Sequence, residues 1–329
     1  MSGPSPSTDA QLQALRVLVD AAKVYPSLAY RPHDQGQRQF HEAPHRIRAL
    51  FVGNRFGKSY AGAIESDRWL QRYNRWRPIF TGREKPAQCL WICPEFGQFD
   101  QLRPDFEAHC FTGGWKWNDN KHTYTWPNGA TLRVFSADKD WSTIQGINPD
   151  LIAVDEDIPV RLWRELRARS AGRRLTHYII MATSTKGITW MHDEVYVPWR
   201  DHHDREGVTL PREQVVAALP FLARYSSDDV DWSLATAMIR QTHQLYWCWV
   251  IGGIRDNPHI SEQGRQVFEA TNWGSEKEHR VRNMGGFADF TGDGVFDAAA
   301  IRILRQRAHE ADLAWGIGSS GSLWAEVPR

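Results

Sequence analysis

The sequence predicts an α/β fold, a mainly parallel sheet flanked by helices, followed by a small C-terminal subdomain. Short apolar runs at Ile47–Val52, Gln88–Cys93, Leu151–Val154 and Tyr178–Ala182 alternate with helical patterns at Lys58–Tyr73, Phe99–His109, Val160–Ser170 and Trp190–Val195. That alternation is what βαβ units produce. Between the second and third runs, Thr123–Trp126 and Thr131–Phe135 flank Pro127-Asn128-Gly129, the pattern of an inserted β-hairpin with Asn-Gly supplying positive φ. A chain of 329 residues suits one large domain with a smaller companion.

In chain order, Asp9, Leu12, Leu15, Val17, Leu18 and Ala21 have helical spacing, which predicts a helix over 9–23 capped by Thr8 or Asp9. A polar connector punctuated by prolines runs on to Arg46. The core then occupies 46–200, with 1–45 as an N-terminal segment and 201–329 as a looser subdomain in which a helix is expected near Ser261–Ala270.

Composition excludes some classes and leaves others open. Hydrophobic residues make up 41% and charged residues 24%, ordinary for a globular chain, and no run approaches the roughly 18 apolar residues of a membrane span. Met1–Thr8 has neither basic nor apolar signal-peptide regions, so a cytosolic protein is expected. Cys89, Cys93, Cys110 and Cys248 lack metal-ligand spacing and read as buried, reduced thiols. Net charge is +1, so a broad basic DNA-binding face is not indicated, although a local stripe could still grip phosphates. The sixteen tryptophans are expected mainly in packing.

The first run ends in Gly53-Asn54-Arg55-Phe56-Gly57-Lys58-Ser59, directly before a helix. Gly57 lets the backbone curl its N–H groups toward phosphate oxygens, Lys58 reaches the β- and γ-phosphates, and Ser59 offers a hydroxyl to Mg²⁺. The helix start adds its positive dipole end. Val52 stands where the strict pattern has its first glycine, so this is a degenerate form of the motif.

The third run ends in Asp155-Glu156. Such a strand delivers its last residues to the carboxyl edge of the sheet, where α/β proteins bind ligands. Asp155 is the expected Mg²⁺ ligand and Glu156 the base that polarises the attacking water in phosphoryl transfer. The fourth run ends in Thr183-Ser184-Thr185-Lys186-Gly187, whose hydroxyls are placed to sense a γ-phosphate. Together these segments predict a P-loop NTPase of the additional-strand (ASCE) type using ATP and Mg²⁺.

The order of Gln37…Phe40-His41, the phosphate loop, Gln145-Gly146-x-x-Pro149-Asp150…Asp155-Glu156 and Ala182-Thr183-Ser184-x-Lys186-Gly187-x-x-Trp190 resembles terminase large subunits of tailed bacteriophages. So do Gly253-Ile254-x-Asp256-Asn257-Pro258 and Arg282-x-x-Gly285-Gly286-Phe287 followed by Gly294-Val295-Phe296. The resemblance covers roughly residues 30–300 and resides in the order of short motifs.

The resemblance implies a motor that drives double-stranded DNA into a procapsid, with portal protein and small terminase subunit as partners. It implies a homo-oligomeric ring on the portal and a location in the host cytoplasm, away from membranes. It makes Gln37 the adenine-recognising residue, with Gln35 the second candidate, and Arg55 a finger reaching the γ-phosphate in cis. Thr183, Ser184 and Thr185 match the motif that couples hydrolysis to DNA movement, and the segment from about 200 onward would be a lid.

Two departures stand out. Gln145 occupies the place of an arginine that many relatives carry, leaving Arg161, Arg164, Arg167, Arg169, Arg173 and Arg174 as sources of a finger in trans. No nuclease-like domain is recognisable before Arg329, and Asp289, Asp293 and Asp297 read as a turn around Gly292 and Gly294, so no nuclease activity is expected. The competing readings are a helicase-like or remodelling ATPase, which should show a second motor domain, and a DNA-binding scaffold with a vestigial nucleotide site.

Overall fold

A computed structural model describes residues 8–33, 35–71, 86–139, 144, 147–170, 176–207, 209–271 and 273–288. Gln145, Gly146, Arg173, Arg174 and everything from Asp289 onward, including Asp293, Gly294 and Asp297, lie outside the described residues.

The apolar runs become strands. β1 (Ile47–Phe51), β2 (Gln88–Cys93), β6 (Leu151–Asp155) and β7 (His177–Ala182) are parallel to their neighbours, and nearly every residue in them is buried. Strands covered on both faces are apolar throughout rather than alternately, which is why these segments are legible as runs. The hairpin forms as β4 (Thr123–Thr125) antiparallel to β5 (Thr131–Ser136), with Gly129 at φ 78°. A short strand with no clear sequence signal, β3 (Lys116–Asn118), pairs with β4 at the edge.

Among the described residues the strands form one eight-stranded sheet in the order β3-β4-β5-β2-β6-β7-β1-β8. β7 separates β1 from β6, which is the additional-strand arrangement.

Helices lie close to where their patterns place them. α1 (Thr8–Val24), α2 (Pro26–Ala29) and α3 (Gln35–Glu42) precede β1. α4 (Lys58–Leu70) follows the phosphate loop and packs on β2, β6 and β7. α5 (Phe96–His109) covers β2 and β5, and α6 (Val160–Ser170) follows the acidic pair. The four cysteines are buried, and Trp69, Trp91, Trp163, Trp199, Trp247 and Trp249 are fully buried in the core.

The expected boundary at 200 does not separate core from subdomain. The helix expected at Trp190–Val195 passes through a π-helical turn, His192–Tyr196, into α7 (Val197–Glu206). Pro198 sits in the first turn of α7, where its missing N–H costs nothing. After α8 (Arg212–Ala218) and α9 (Trp232–Arg240), the chain re-enters the sheet. β8 (Tyr246–Trp249) pairs in parallel with β1, from Ile47 opposite Tyr246 to Leu50 opposite Trp249. Four aromatic-rich residues after a loosely patterned stretch carry no strand signal of their own. α10 (Glu262–Glu269) and α11 (Glu276–Met284) complete the described chain.

Candidate nucleotide site

β1, β6 and β7 end side by side, and their last residues and following loops meet at one edge of the sheet. Beyond β1 the chain turns through Arg55, a non-glycine residue at φ 62°, and Gly57 at φ 95°, then enters α4 at Lys58. A Cβ on Gly57 would lie 2.9 Å from the Gln37 amide nitrogen, so both space and conformation require glycine. The first turn of α4 leaves the N–H groups of Lys58 and Ser59 without intrahelical acceptors and aimed outward, as an anion site requires.

Thr183 is the point where the expected elements converge. Its hydroxyl lies 3.0 Å from the Val52 carbonyl and 2.5 Å from Lys58 Nζ. Its backbone N–H donates to Glu156 Oε2 at 3.0 Å. Glu156 is itself in the left-handed region, φ 63°, with its N–H on the Met181 carbonyl at 2.8 Å. Such strain in a non-glycine residue persists only where its surroundings fix it. Lys58 Nζ also donates to the Gly53 carbonyl at 3.2 Å and lies 3.8 Å from Glu156 Oε1. Burial lowers the Lys58 pKa, while Glu156 and Asp155 oppose the shift.

Asp155 is 1% exposed. Ser59 donates to its Oδ1 at 2.8 Å, and its Oδ2 is buried without a hydrogen-bond partner among the described residues. Burial, helped by the charge of Glu156, pushes its carboxyl up to about 7. An orphaned carboxylate oxygen beside a serine hydroxyl fits a hard cation such as Mg²⁺, which takes oxygen ligands.

Beside the loop opens a cavity of about 820 Å³, lined among others by Tyr30, His33, Gln37, Arg55, Lys58 and Ser59, a size suited to a nucleotide. Gln37 is 1% exposed and anchored here. Its Oε1 accepts from the Tyr30 hydroxyl at 2.7 Å and the His33 N–H at 3.1 Å. Its Nε2 therefore faces the Phe56 and Gly57 carbonyls, at 3.4 Å each. Gln35, the second candidate, turns away: its amide donates to the Ala218 carbonyl at 2.9 Å, tying α3 to α8. Ser184 is buried beside Thr183, and Gly187 N–H closes the turn onto its carbonyl at 3.2 Å.

Several contacts were not foreseen from sequence. Tyr30 and His33 lie in the proline-punctuated connector, where nothing marks a site. Asp157 pairs with Lys186 at 3.9 Å, joining the loop after Glu156 to the segment after Thr183. Trp190 stacks on Trp163, centroids 4.7 Å apart, and its indole N–H donates to the Ile158 carbonyl at 2.7 Å. Of the basic residues on α6, Arg164 pairs with Glu194 at 2.7 Å, Arg167 lies over Trp163 and near the Tyr246 hydroxyl, and Arg161 is exposed.

A phosphate loop and a carboxylate pair, on strands separated by one inserted strand, define an additional-strand P-loop ATPase. Residues 50–303 match the family model "Terminase large subunit, T4likevirus-type, N-terminal", and the chain belongs to that family, whose members are ATP-driven DNA-packaging motors. Among solved structures it is similar to the large terminase ATPase domain of Thermus phage P74-26, with 17% identity over 78% of this chain and 94% of that one, TM-score 0.47. It is also similar to the large terminase of a thermophilic bacteriophage in complex with ADP, with 12% identity over 73% of this chain, TM-score 0.40. The chain spans about half of that second protein, 51%. No curated protein sequence matches it.

Proposed function

We propose that the chain binds Mg²⁺ and ATP in the cleft beside the phosphate loop and couples hydrolysis to translocation of double-stranded DNA into a procapsid. The observation that carries this reading is the convergence on Thr183, which links the phosphate-loop lysine, the Val52 carbonyl and Glu156. A change at the γ-phosphate felt by Lys58 or Glu156 reaches the segment after β7 through one residue.

Ser59 and Asp155 hold the metal; Mg²⁺ supplies positive charge that offsets the charge developing on the phosphoryl oxygens. Gly53, Asn54 and Gly57 shape the loop, and Lys58 neutralises the terminal phosphates. Glu156 takes a proton from the attacking water, and Arg55 stabilises the transferring phosphoryl group from within the same chain. Gln37 reads the adenine ring by exchanging one of its two long Nε2 contacts, to the Phe56 and Gly57 carbonyls at 3.4 Å each, for a ring nitrogen, its oxygen being already occupied. Thr183 and Ser184 sense the γ-phosphate, and residues after 200, β8 excepted, act as the lid.

Portal protein and small terminase subunit are the proposed partners, in a homo-oligomeric ring on the portal in the host cytoplasm. Among the described residues no helix is long and apolar enough to cross a membrane. ATP hydrolysis, not DNA cleavage, is the chemistry assigned to the described residues. Two-metal cleavage needs converging carboxylates, and Asp155 and Glu156 serve the nucleotide.

The test is ATP turnover by the purified chain with and without duplex DNA, compared with Glu156→Gln. The variant should keep Mg·ATP affinity while turnover falls at least about a hundredfold, the scale of a lost general base. Turnover near wild type would remove Glu156 from this role.

A further inference from the structure

The segment Gly253-Ile254-x-Asp256-Asn257-Pro258 takes no part in the chemistry described so far, yet it rests against the phosphate loop. Gly53 N–H donates to the Gly252 carbonyl at 2.7 Å, and Asn54 N–H donates to the Arg282 carbonyl at 2.7 Å. The next residue, Arg55, is held differently. Its carbonyl accepts from Asn257 Nδ2 at 2.7 Å. The orientation of the Asn257 amide is fixed from its other side, because Oδ1 accepts from the His259 N–H at 3.0 Å.

The segment presenting Asn257 is itself anchored. Asp256 is 3% exposed and accepts from the Gly253 N–H at 2.9 Å, the Tyr225 hydroxyl at 2.6 Å and Arg224 at 3.2 Å. Ile254 is buried beside it. Asn257 is therefore a rigid donor aimed at one peptide of the phosphate loop.

That peptide belongs to a residue at φ 62°, which a side-chain-bearing residue leaves unless something holds it. Arg55 is exposed at the cavity wall, so its backbone decides where its guanidinium starts from.

We propose that Asn257 is a positioning residue for Arg55. Its amide holds the Arg55 peptide in the left-handed conformation and so aims the guanidinium at the transferring phosphoryl group. The proposal rests on the reading of Arg55 as the group that stabilises phosphoryl transfer.

Asn257→Asp separates positioning from packing. The carboxylate still accepts from His259 N–H, but the donor to Arg55 is replaced by an acceptor facing a carbonyl. With ATP turnover as readout, Asn257→Asp should lower kcat at least about tenfold with little change in KM, since misplacement of a catalytic group is felt in the transition state. Asn257→His, whose ring N–H can donate at similar reach, should recover part of the loss. Arg55→Ala should lower kcat as well, and adding Asn257→Asp to it should lower kcat no further. Multiplying effects in the double variant, or wild-type kcat in Asn257→Asp, would overturn the positioning role while leaving Arg55 in place. Wild-type kcat in Arg55→Ala would instead overturn the reading of Arg55, and this proposal with it. Circular dichroism and the urea midpoint of each variant distinguish lost positioning from lost fold.

Discussion

Asp155, the proposed metal ligand, shows how burial changes a carboxyl group. Its carboxyl titrates at about 7 against an ordinary 3.8, because the sheet edge offers it one serine hydroxyl and no solvent. Between about pH 4 and 7 the folded protein therefore binds a proton that the unfolded chain releases. This group's contribution favours the nucleotide-free fold at the acid end and is lost as pH rises through 7. On the proposed assignment of Asp155 as a metal ligand, Mg²⁺ has to displace that proton, so its affinity should weaken roughly tenfold per pH unit below about 7. Metal titrations at pH 6 and pH 8 check this, and Asp155→Asn should weaken binding and flatten the pH dependence. A pH-independent affinity in the wild type would place the metal elsewhere.

At this scale much of the candidate site was legible. Gly57, Lys58, Ser59, Asp155 and Glu156 announce themselves because their chemistry is local, a loop before a helix or carboxylates after an apolar strand. Asn257 was visible as part of a motif but not as a partner of Arg55, since nothing in either segment encodes a contact across that much chain. Arg282 contributes its carbonyl to Asn54, and a backbone contact leaves no mark in a side-chain pattern.

Among the elements, the turn after α11 and the phosphate loop are packed backbone to backbone. Gly252 N–H donates to the Met284 carbonyl at 2.8 Å and Gly286 N–H to the Phe51 carbonyl at 2.8 Å. Gly285 lies between them at φ 84°, ψ −157°, and a Cβ there would stand 2.4 Å from Val52 Cα. Gly285→Ala therefore combines a glycine-only backbone with a clash against the loop that must cradle phosphate. It should cost roughly 2–4 kcal/mol in urea unfolding and weaken nucleotide binding. Gly97, near the start of α5, has nothing within 4 Å of where a methyl group would sit and no positive φ, so Gly97→Ala should be neutral or stabilising by up to about 1 kcal/mol. Equal effects of the two substitutions would remove the close packing from the explanation.

For the whole molecule, the main departure from sequence expectation is where the ATPase core ends. The strands β1, β2, β6 and β7 were readable because each is an apolar run bounded by turn or helix signals. β8 was not, because Tyr246–Trp249 is short and follows a stretch without βαβ rhythm. Its position nevertheless makes it part of the catalytic scaffold. β8 pairs with the strand that carries the phosphate loop, Trp247 approaches Phe40 of α3 at 6.1 Å, and Trp249 approaches Phe221 at 5.9 Å.

A fragment of residues 1–207 would therefore lose more than a lid. β1 would become an apolar edge strand with its outward backbone groups unpaired, a template for aggregation. Gly53 and Asn54 would lose the Gly252 and Arg282 carbonyls that hold the loop. Such a fragment should fail to give a soluble monomer with a cooperative melt and should not bind a fluorescent ATP analogue, whereas residues 1–288 should do both. Size-exclusion chromatography, thermal melting and nucleotide titration of the two fragments decide the matter. A soluble, cooperatively melting 1–207 fragment that binds nucleotide would place β8 outside the folding core and return the boundary to residue 200.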